Sequence, residues 1–460
     1  MFATAAEVDR AVAVAREAFA VWRATPLSQR VQLMFRAREL FDQNRHALAE
    51  AITAEHGKTT ADAEGEVARA IENIEFACGI PQVLKGEFSE QVSGGVDVHS
   101  VLQPLGVAAG VTPFNFPVMV PMWMAANAIA CGNSFVLKPS EIDPSPSVMM
   151  AELLTEAGLP AGVFNVVQGD RLAVERLLEH PDVAALSFVG STPVARQVYE
   201  TGTRYGKRVQ ALGGAKNHMV VLPDADIEGA ADAAVSAGYG SAGERCMAIS
   251  VVVAVGEVAD PLIEAIAKRV EAVRVGPGTD PACEMGPLVT DRHRERVAGY
   301  ITRAEEAGAR VVSDGRKAAV PGEGFFLGPT LLDRVEPTME VYRDEVFGPV
   351  LCVVWVEGFD DALRLVNANP YGNGVALFTR DGGAARRFQM EVEAGMVGIN
   401  VPIPVPVAYY SFGGWKASLF GDAHMYGPDG VRFYTRAKVV TSRWPERAPG
   451  GVNLGFPGNR

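Results

Sequence analysis

Apolar residues near the start of the chain recur at three- and four-residue steps: Val8, Val12, Ala15, Phe19 and Trp22. That spacing puts them on one stripe of a helix. Two further runs of the same period, residues 30–55 and 61–78, predict more amphipathic helix. From residue 101 the pattern changes. Continuous apolar runs at 107–111, 134–138, 163–168 and 184–190 read as buried strands, with helical stretches such as 145–157 and 173–179 between them. Strands that alternate with helices and are apolar throughout predict a parallel sheet covered on both faces. The alternation resumes after residue 216, with strands at 219–222, 250–255, 310–313 and 351–356 and helices at 227–239, 261–272 and 291–307.

The expected fold class is therefore α/β, with two doubly wound α/β domains. Segments 1–83 and 102–214 are expected to form the first and 215–427 the second. Two pieces fit neither. Residues 84–101 read as a hairpin turning at Ser93-Gly94-Gly95, and residues 431–442, within 428–446, read as an alternating strand. Such edge strands suit pairing with another subunit, so they form an expected β oligomerisation element. Residues 447–460 are rich in Gly and Pro and are expected to be a tail.

Composition narrows the partners. The net charge of −13 and the lack of a basic run argue against nucleic acid. Five scattered cysteines with no C-x-x-C pattern argue against a disulfide framework or a zinc site and suit a reducing compartment. No signal-like segment opens the chain, and the apolar stretch 118–130 is broken by Pro121 and Asn127 and is too short to span a bilayer. A cytoplasmic protein without membrane contact is expected.

Five short motifs carry chemistry, each with a plainer alternative. Cys246, in Gly240-Ser-Ala-Gly-Glu-Arg-Cys246, is either an inert buried thiol or a nucleophile whose thiolate is favoured by Arg245. Gly190-Ser191-Thr192 joins a strand to a helix and either holds a phosphate on free N–H groups or only caps the helix. Lys138 and Glu141 end a strand where ligands bind parallel sheets, or form a solvated pair. Asn115, between Pro113 and Pro117, either offers a fixed amide to an oxyanion or makes a local turn. Glu345 and Phe347 either support a ribose and a planar ring or belong to an ordinary loop.

Together, Phe114-Asn-Phe-Pro117, Lys138-Pro-Ser-Glu141, Phe188-Val-Gly-Ser191, Gly243-Glu-Arg-Cys246 and Glu345-Val-Phe-Gly-Pro349 resemble, in order and spacing, the aldehyde dehydrogenase superfamily. The resemblance runs from the first helix to about Trp444. It implies that Cys246 attacks the aldehyde, that Asn115 and the Cys246 N–H hold the oxyanion, and that hydride passes to NAD. It places Thr112, Phe114, Lys138, Glu141, Ile142, Gly190, Ser191, Glu345 and Phe347 along the cofactor, with Glu141 favouring NAD over NADP. The family's water-activating glutamate falls at Leu212, in Leu212-Gly-Gly-Ala-Lys216. Leucine is no base, so a thiol, coenzyme A, is expected to release the acyl group. Gln210–His218, Gly243–Ala248 and Asn400–Pro406 resemble the CoA-acylating methylmalonate-semialdehyde dehydrogenase branch. That branch implies Arg69 and Arg245 as a clamp for the substrate carboxylate, loss of CO2, and propionyl-CoA or acetyl-CoA as product. It also implies a homodimer or homotetramer. A hydrolytic dehydrogenase and a non-catalytic relative remain the alternatives.

Overall fold

The helical period of the first 78 residues becomes four helices, Ala5–Trp22, Leu27–Gln43, Arg45–His56 and Thr60–Cys78, in a computed structural model that describes residues 2–320 and 323–444. Thr4 and Glu7 close the first helix with a reciprocal capping box. The run at 30–55 is two helices rather than one. Asn44 leaves the helical region (φ −100°, ψ 14°), and its side-chain amide donates back to Leu40 O at 2.9 Å. Asparagine competes in this way with the helix ladder.

The first sheet has the order Leu419–Phe420, Arg208–Leu212, Val183–Val189, Val107–Val111, Ser134–Lys138, Phe164–Val166. All neighbours are parallel except Leu419–Phe420. The chain enters at the central Val107–Val111 strand, runs to one edge, then resumes on the other side with Val183–Val189. This reversal opens a crevice beyond the carboxyl ends of those two strands. Thr112 and Gly190 lie at its mouth.

The second sheet has the order Arg310–Ser313, Thr330–Asp333, Val350–Val356, Ile249–Val255, Asn217–Val221, Gly374–Phe378, Met396–Ile399. Its strands are parallel apart from Arg310–Ser313, which is antiparallel to its neighbour. The strands at 208–212, 330–333, 374–378 and 396–399 are not among those expected from the pattern. Each has five residues or fewer, too short a run for periodicity to separate strand from helix. Leu419–Phe420, within the 215–427 segment, pairs with the first sheet.

The apolar stretch 118–130 contains the helix Met119–Ala130, buried at every position. Pro121 sits in its first turn, where no intrahelical N–H bond is lost. The third sheet is antiparallel: Phe88–Ser93, Val96–Pro104 and Thr435–Arg443. Two boundaries differ from expectation. The second hairpin strand runs on to Pro104, and the late strand starts at Thr435, because Gly427–Phe433 is a short helix that buries Val431 and Phe433. The expected tail, 447–460, and positions 445–446 lie outside the described residues. Among the described residues, no helix is long and apolar enough to cross a membrane.

Candidate active site

The carboxyl edge of the first sheet faces the loops that feed the second, and Cys246 lies between them. A turn over Gly240–Gly243 precedes it, in which Ser241 and Ala242 take left-handed φ values of +53° and +51°. Gly243 has φ +74°, and a Cβ there would lie 2.2 Å from Gly348 O. Glycine thus lets the Cys246 loop touch the loop carrying Glu345 and Phe347. The Asn217 and Asn373 side-chain amides both donate to Cys246 O, at 2.9 and 3.1 Å, which fixes the backbone beneath the thiol.

Burial pushes the Cys246 thiol up to about 12, and the Glu345 charge adds to the rise. The Cys246 and Met247 N–H groups and Arg245 pull the other way and lose. Arg245 acts in the expected direction, toward the thiolate, but is outweighed. Its guanidinium is paired with Asp62, and desolvation of the sulfur outweighs it.

Asn115 is buried and makes no local turn. Its Nδ2 donates to Glu244 O at 3.0 Å, and its carbonyl accepts from Lys58 Nζ. Lys58 is itself held by Glu66 at 2.9 Å, and Glu66 accepts the N–H groups of Val118 and Met119. Lys58 thus fixes the Asn115 backbone and Glu244 O its side-chain amide, with one Nδ2 hydrogen left over.

Glu345 accepts the Ala215 N–H at 2.9 Å, across the junction of the two sheets. A Cβ at Gly214 would lie 2.4 Å from Glu345 Oε2, so the carboxylate requires that glycine. Burial raises Glu345 to about 7 against the Ala215 N–H, Lys216 and Arg296. Lys216 Nζ donates to Val341 O and Asp344 O, at 2.6 and 2.8 Å, and so holds the start of that loop. Phe347 adopts φ +59°, costly for a residue with a Cβ. His293 Nε2 donates to Phe347 O at 2.7 Å and helps to hold it there. The Phe347 ring meets Phe114 edge-on, with centroids 5.9 Å apart.

Along the crevice, Thr112 Oγ1 is buried without a partner. Lys138 is buried and bonds Glu141 at 2.9 Å, while Glu141 stays half exposed beside the exposed Ile142. Ser191 precedes the helix Thr192–Arg204 without capping it, so its hydroxyl and the first N–H groups face outward. Thr192 Oγ1 accepts from Gly214 N at 2.8 Å, and Gly190 N donates to Leu212 O at 3.1 Å. An orphaned hydroxyl, a carboxylate poised for hydroxyl groups and an open helix N-terminus suit a dinucleotide.

The substrate side is apolar. Leu212 is 3% exposed, in one cluster with Trp123, Met247 and Phe412, and Cys246 packs against that cluster. Arg245 and Cys246 share a narrow pocket of about 20 Å³ with Glu345 and Phe347. Arg69 pairs with Glu72 at 2.8 Å. Tyr426 is buried, and burial pushes its hydroxyl well above the usual range. Glu244, the conceivable substitute base beside Cys246, is enclosed. Val289 N lies 3.3 Å, His293 Nε2 3.5 Å and His56 Nε2 3.8 Å from its carboxyl, and burial raises its pKa well above the carboxylate range.

Asn217, Asn373, His293, Tyr426 and Asp62 were invisible as site residues in the sequence. Asn217 at least adjoins Lys216 in a recognised stretch. Asp62 looks like any polar residue of an amphipathic helix.

A cysteine on a pinned loop, a fixed amide beside it and a dinucleotide crevice facing both define an aldehyde-oxidising site. Residues 1–440 match the aldehyde dehydrogenase family model, and the chain belongs to that family of oxidoreductases. More particularly, it is 57% identical to a malonate-semialdehyde dehydrogenase of Pseudomonas aeruginosa over 96% of this chain and 89% of that one. A methylmalonate-semialdehyde dehydrogenase structure from Oceanimonas doudoroffii shares 55% identity and a TM-score of 0.96, covering 97% of this chain and 92% of its own. A structure from Sinorhizobium meliloti, described as a methylmalonate-semialdehyde dehydrogenase complexed with NAD, shares 52% identity and a TM-score of 0.96 over the same shares.

Proposed function

We propose that this enzyme oxidises malonate semialdehyde or methylmalonate semialdehyde with NAD and passes the acyl group to coenzyme A, releasing CO2. The Cys246 sulfur, once deprotonated, bonds to the aldehyde carbon, and Asn115 Nδ2 with the Cys246 N–H stabilises the oxygen. Bound NAD would accept the hydride from that carbon, held by Thr112, Lys138, Glu141, Ser191, Glu345 and the Phe114–Phe347 pair. The product is a thioester on Cys246 with a carboxylate on the adjacent carbon. The bond to that carboxylate then breaks, CO2 leaves, and the electron pair moves toward the thioester oxygen beside Asn115 before a proton replaces it.

One observation carries the CoA step: Leu212, aliphatic and buried, stands where the resembling family has its water-activating glutamate. Water there has no base from that strand, whereas a thiol needs less help near neutral pH. The hydrolytic alternative also has an observation in its favour, since Glu345 sits at about 7 and acts on the Cys246 sulfur. Incubation with malonate semialdehyde and NAD, with and without CoA, separates them. Acetyl-CoA should form and turnover should depend on CoA; a CoA-independent rate yielding free acid would overturn the reading. The names of the malonate- and methylmalonate-semialdehyde relatives support the substrate class.

Arg69 and Arg245 are read as the carboxylate clamp, because Arg245 lines the Cys246 pocket and both fall where the resembling branch has its two substrate arginines. Arg69→Ala and Arg245→Ala should each raise KM for malonate semialdehyde roughly 10- to 100-fold while leaving propanal oxidation nearly unchanged. Steady-state kinetics on the two aldehydes checks this.

A further inference from the structure

Arg245 already holds a carboxylate. Asp62 pairs with it through Oδ1 alone, while Asp62 Oδ2 is buried and has no partner. The guanidinium lies against Gly240, where a Cβ would come within 2.5 Å of Nη1, so the glycine leaves it room. It forms part of two walls at once. On one side is the narrow Cys246 pocket; on the other is a cavity of about 570 Å³ that Asp62, Thr59, Ser236 and Tyr239 also line. Arg69 is likewise occupied, by Glu72 of the same Thr60–Cys78 helix.

We propose that Asp62 is a displaceable latch: its carboxylate occupies Arg245 in the free enzyme and is exchanged for the carboxylate of the incoming semialdehyde. This rests on Arg245 as a substrate-carboxylate residue. Three features favour exchange over a permanent bond. First, the internal pair engages one carboxylate oxygen, whereas a free carboxylate can meet the guanidinium fork with both. Second, a mostly buried guanidinium with no partner would be costly, so an internal anion keeps the unliganded site intact. Third, Asp62 lies in the first turn of a 19-residue helix, with its N–H capped by Thr59. Its negative charge remains favourably placed there after Arg245 lets go. An aldehyde without a carboxylate has nothing to exchange and leaves the pair closed. The latch therefore makes Asp62 a specificity-determining residue that lowers apparent affinity for acids and leaves neutral aldehydes unaffected.

The test compares Asp62→Asn and Asp62→Ser with the unmodified enzyme. Readouts are KM and kcat for malonate semialdehyde, the same for propanal, and inhibition by propanoate as a carboxylate without an aldehyde. Removing the competing anion should lower KM for malonate semialdehyde and Ki for propanoate about three- to tenfold, with propanal kinetics within about twofold. Thermal unfolding of each variant shows whether it is folded, so a misfolded Asn variant is recognised and the Ser variant decides. A raised KM for the semialdehyde would mean that Asp62 orients Arg245 rather than competing for it, and unchanged constants would mean that no exchange occurs; both overturn the latch. A parallel Arg245→Gln variant tells the two failures apart. If it leaves the semialdehyde KM unchanged, the reading of Arg245 itself is wrong. If it raises KM while the Asp62 variants lower nothing, only the latch falls.

Discussion

Cys246→Ala is expected to lower NADH production from any aldehyde by roughly 10⁴-fold or more, because no other group can carry the acyl intermediate. The asparagines that pin Cys246 O bind backbone, so the loop should keep its shape in the variant. Absorbance of NADH at saturating aldehyde measures the loss, and an unchanged rate would remove the nucleophile assignment. The raised thiol adds a pH signature. With the group held up at about 12 by burial, the thiolate fraction in the protein without NAD is small at neutral pH. Inactivation by iodoacetamide should therefore be slow at pH 7 and accelerate about tenfold per pH unit as pH rises toward that value. A rate already flat at neutral pH would show a thiol of ordinary or depressed pKa. Loss of activity is the proper readout, since Cys78 and Cys283 are also partly exposed.

Asn115→Ala should reduce kcat about 10²- to 10³-fold with little change in KM, the effect of removing one preorganised donor to an oxyanion. The geometry makes this a clean measurement. Lys58 holds the Asn115 backbone carbonyl, which the variant keeps, and Glu66 anchors Lys58 independently. Only the Nδ2 contacts disappear, one of them to Glu244 O. Thermal unfolding run beside the kinetics separates lost donation from lost structure: kcat should fall in a variant that melts close to the parent. A fall in stability with kcat preserved would assign Asn115 to scaffolding alone.

Much of the fold was legible. Apolar runs flanked by helices located the central strands, because strands buried on both faces must be apolar throughout. Short strands such as Gly374–Phe378 and the antiparallel Leu419–Phe420 were not, since their pairing partners lie far away in the chain. The same division runs through the site. The order and spacing of Asn115, Lys138, Glu141, Ser191, Cys246 and Glu345 resemble those of an aldehyde dehydrogenase in the sequence alone.

The sequence by itself determined which groups are available: one thiol in a glycine-rich loop, one amide between prolines, an aliphatic Leu212 where a base is usual, and two arginines. Only the tertiary structure decided what state those groups occupy. Burial sets the thiol high despite the arginine beside it, and Arg245 is spoken for by Asp62, 183 positions earlier. Residue type and local spacing specify chemistry and backbone tendency. Desolvation and charge pairing depend on what the fold brings within a few ångströms, and that is not written in neighbouring residues.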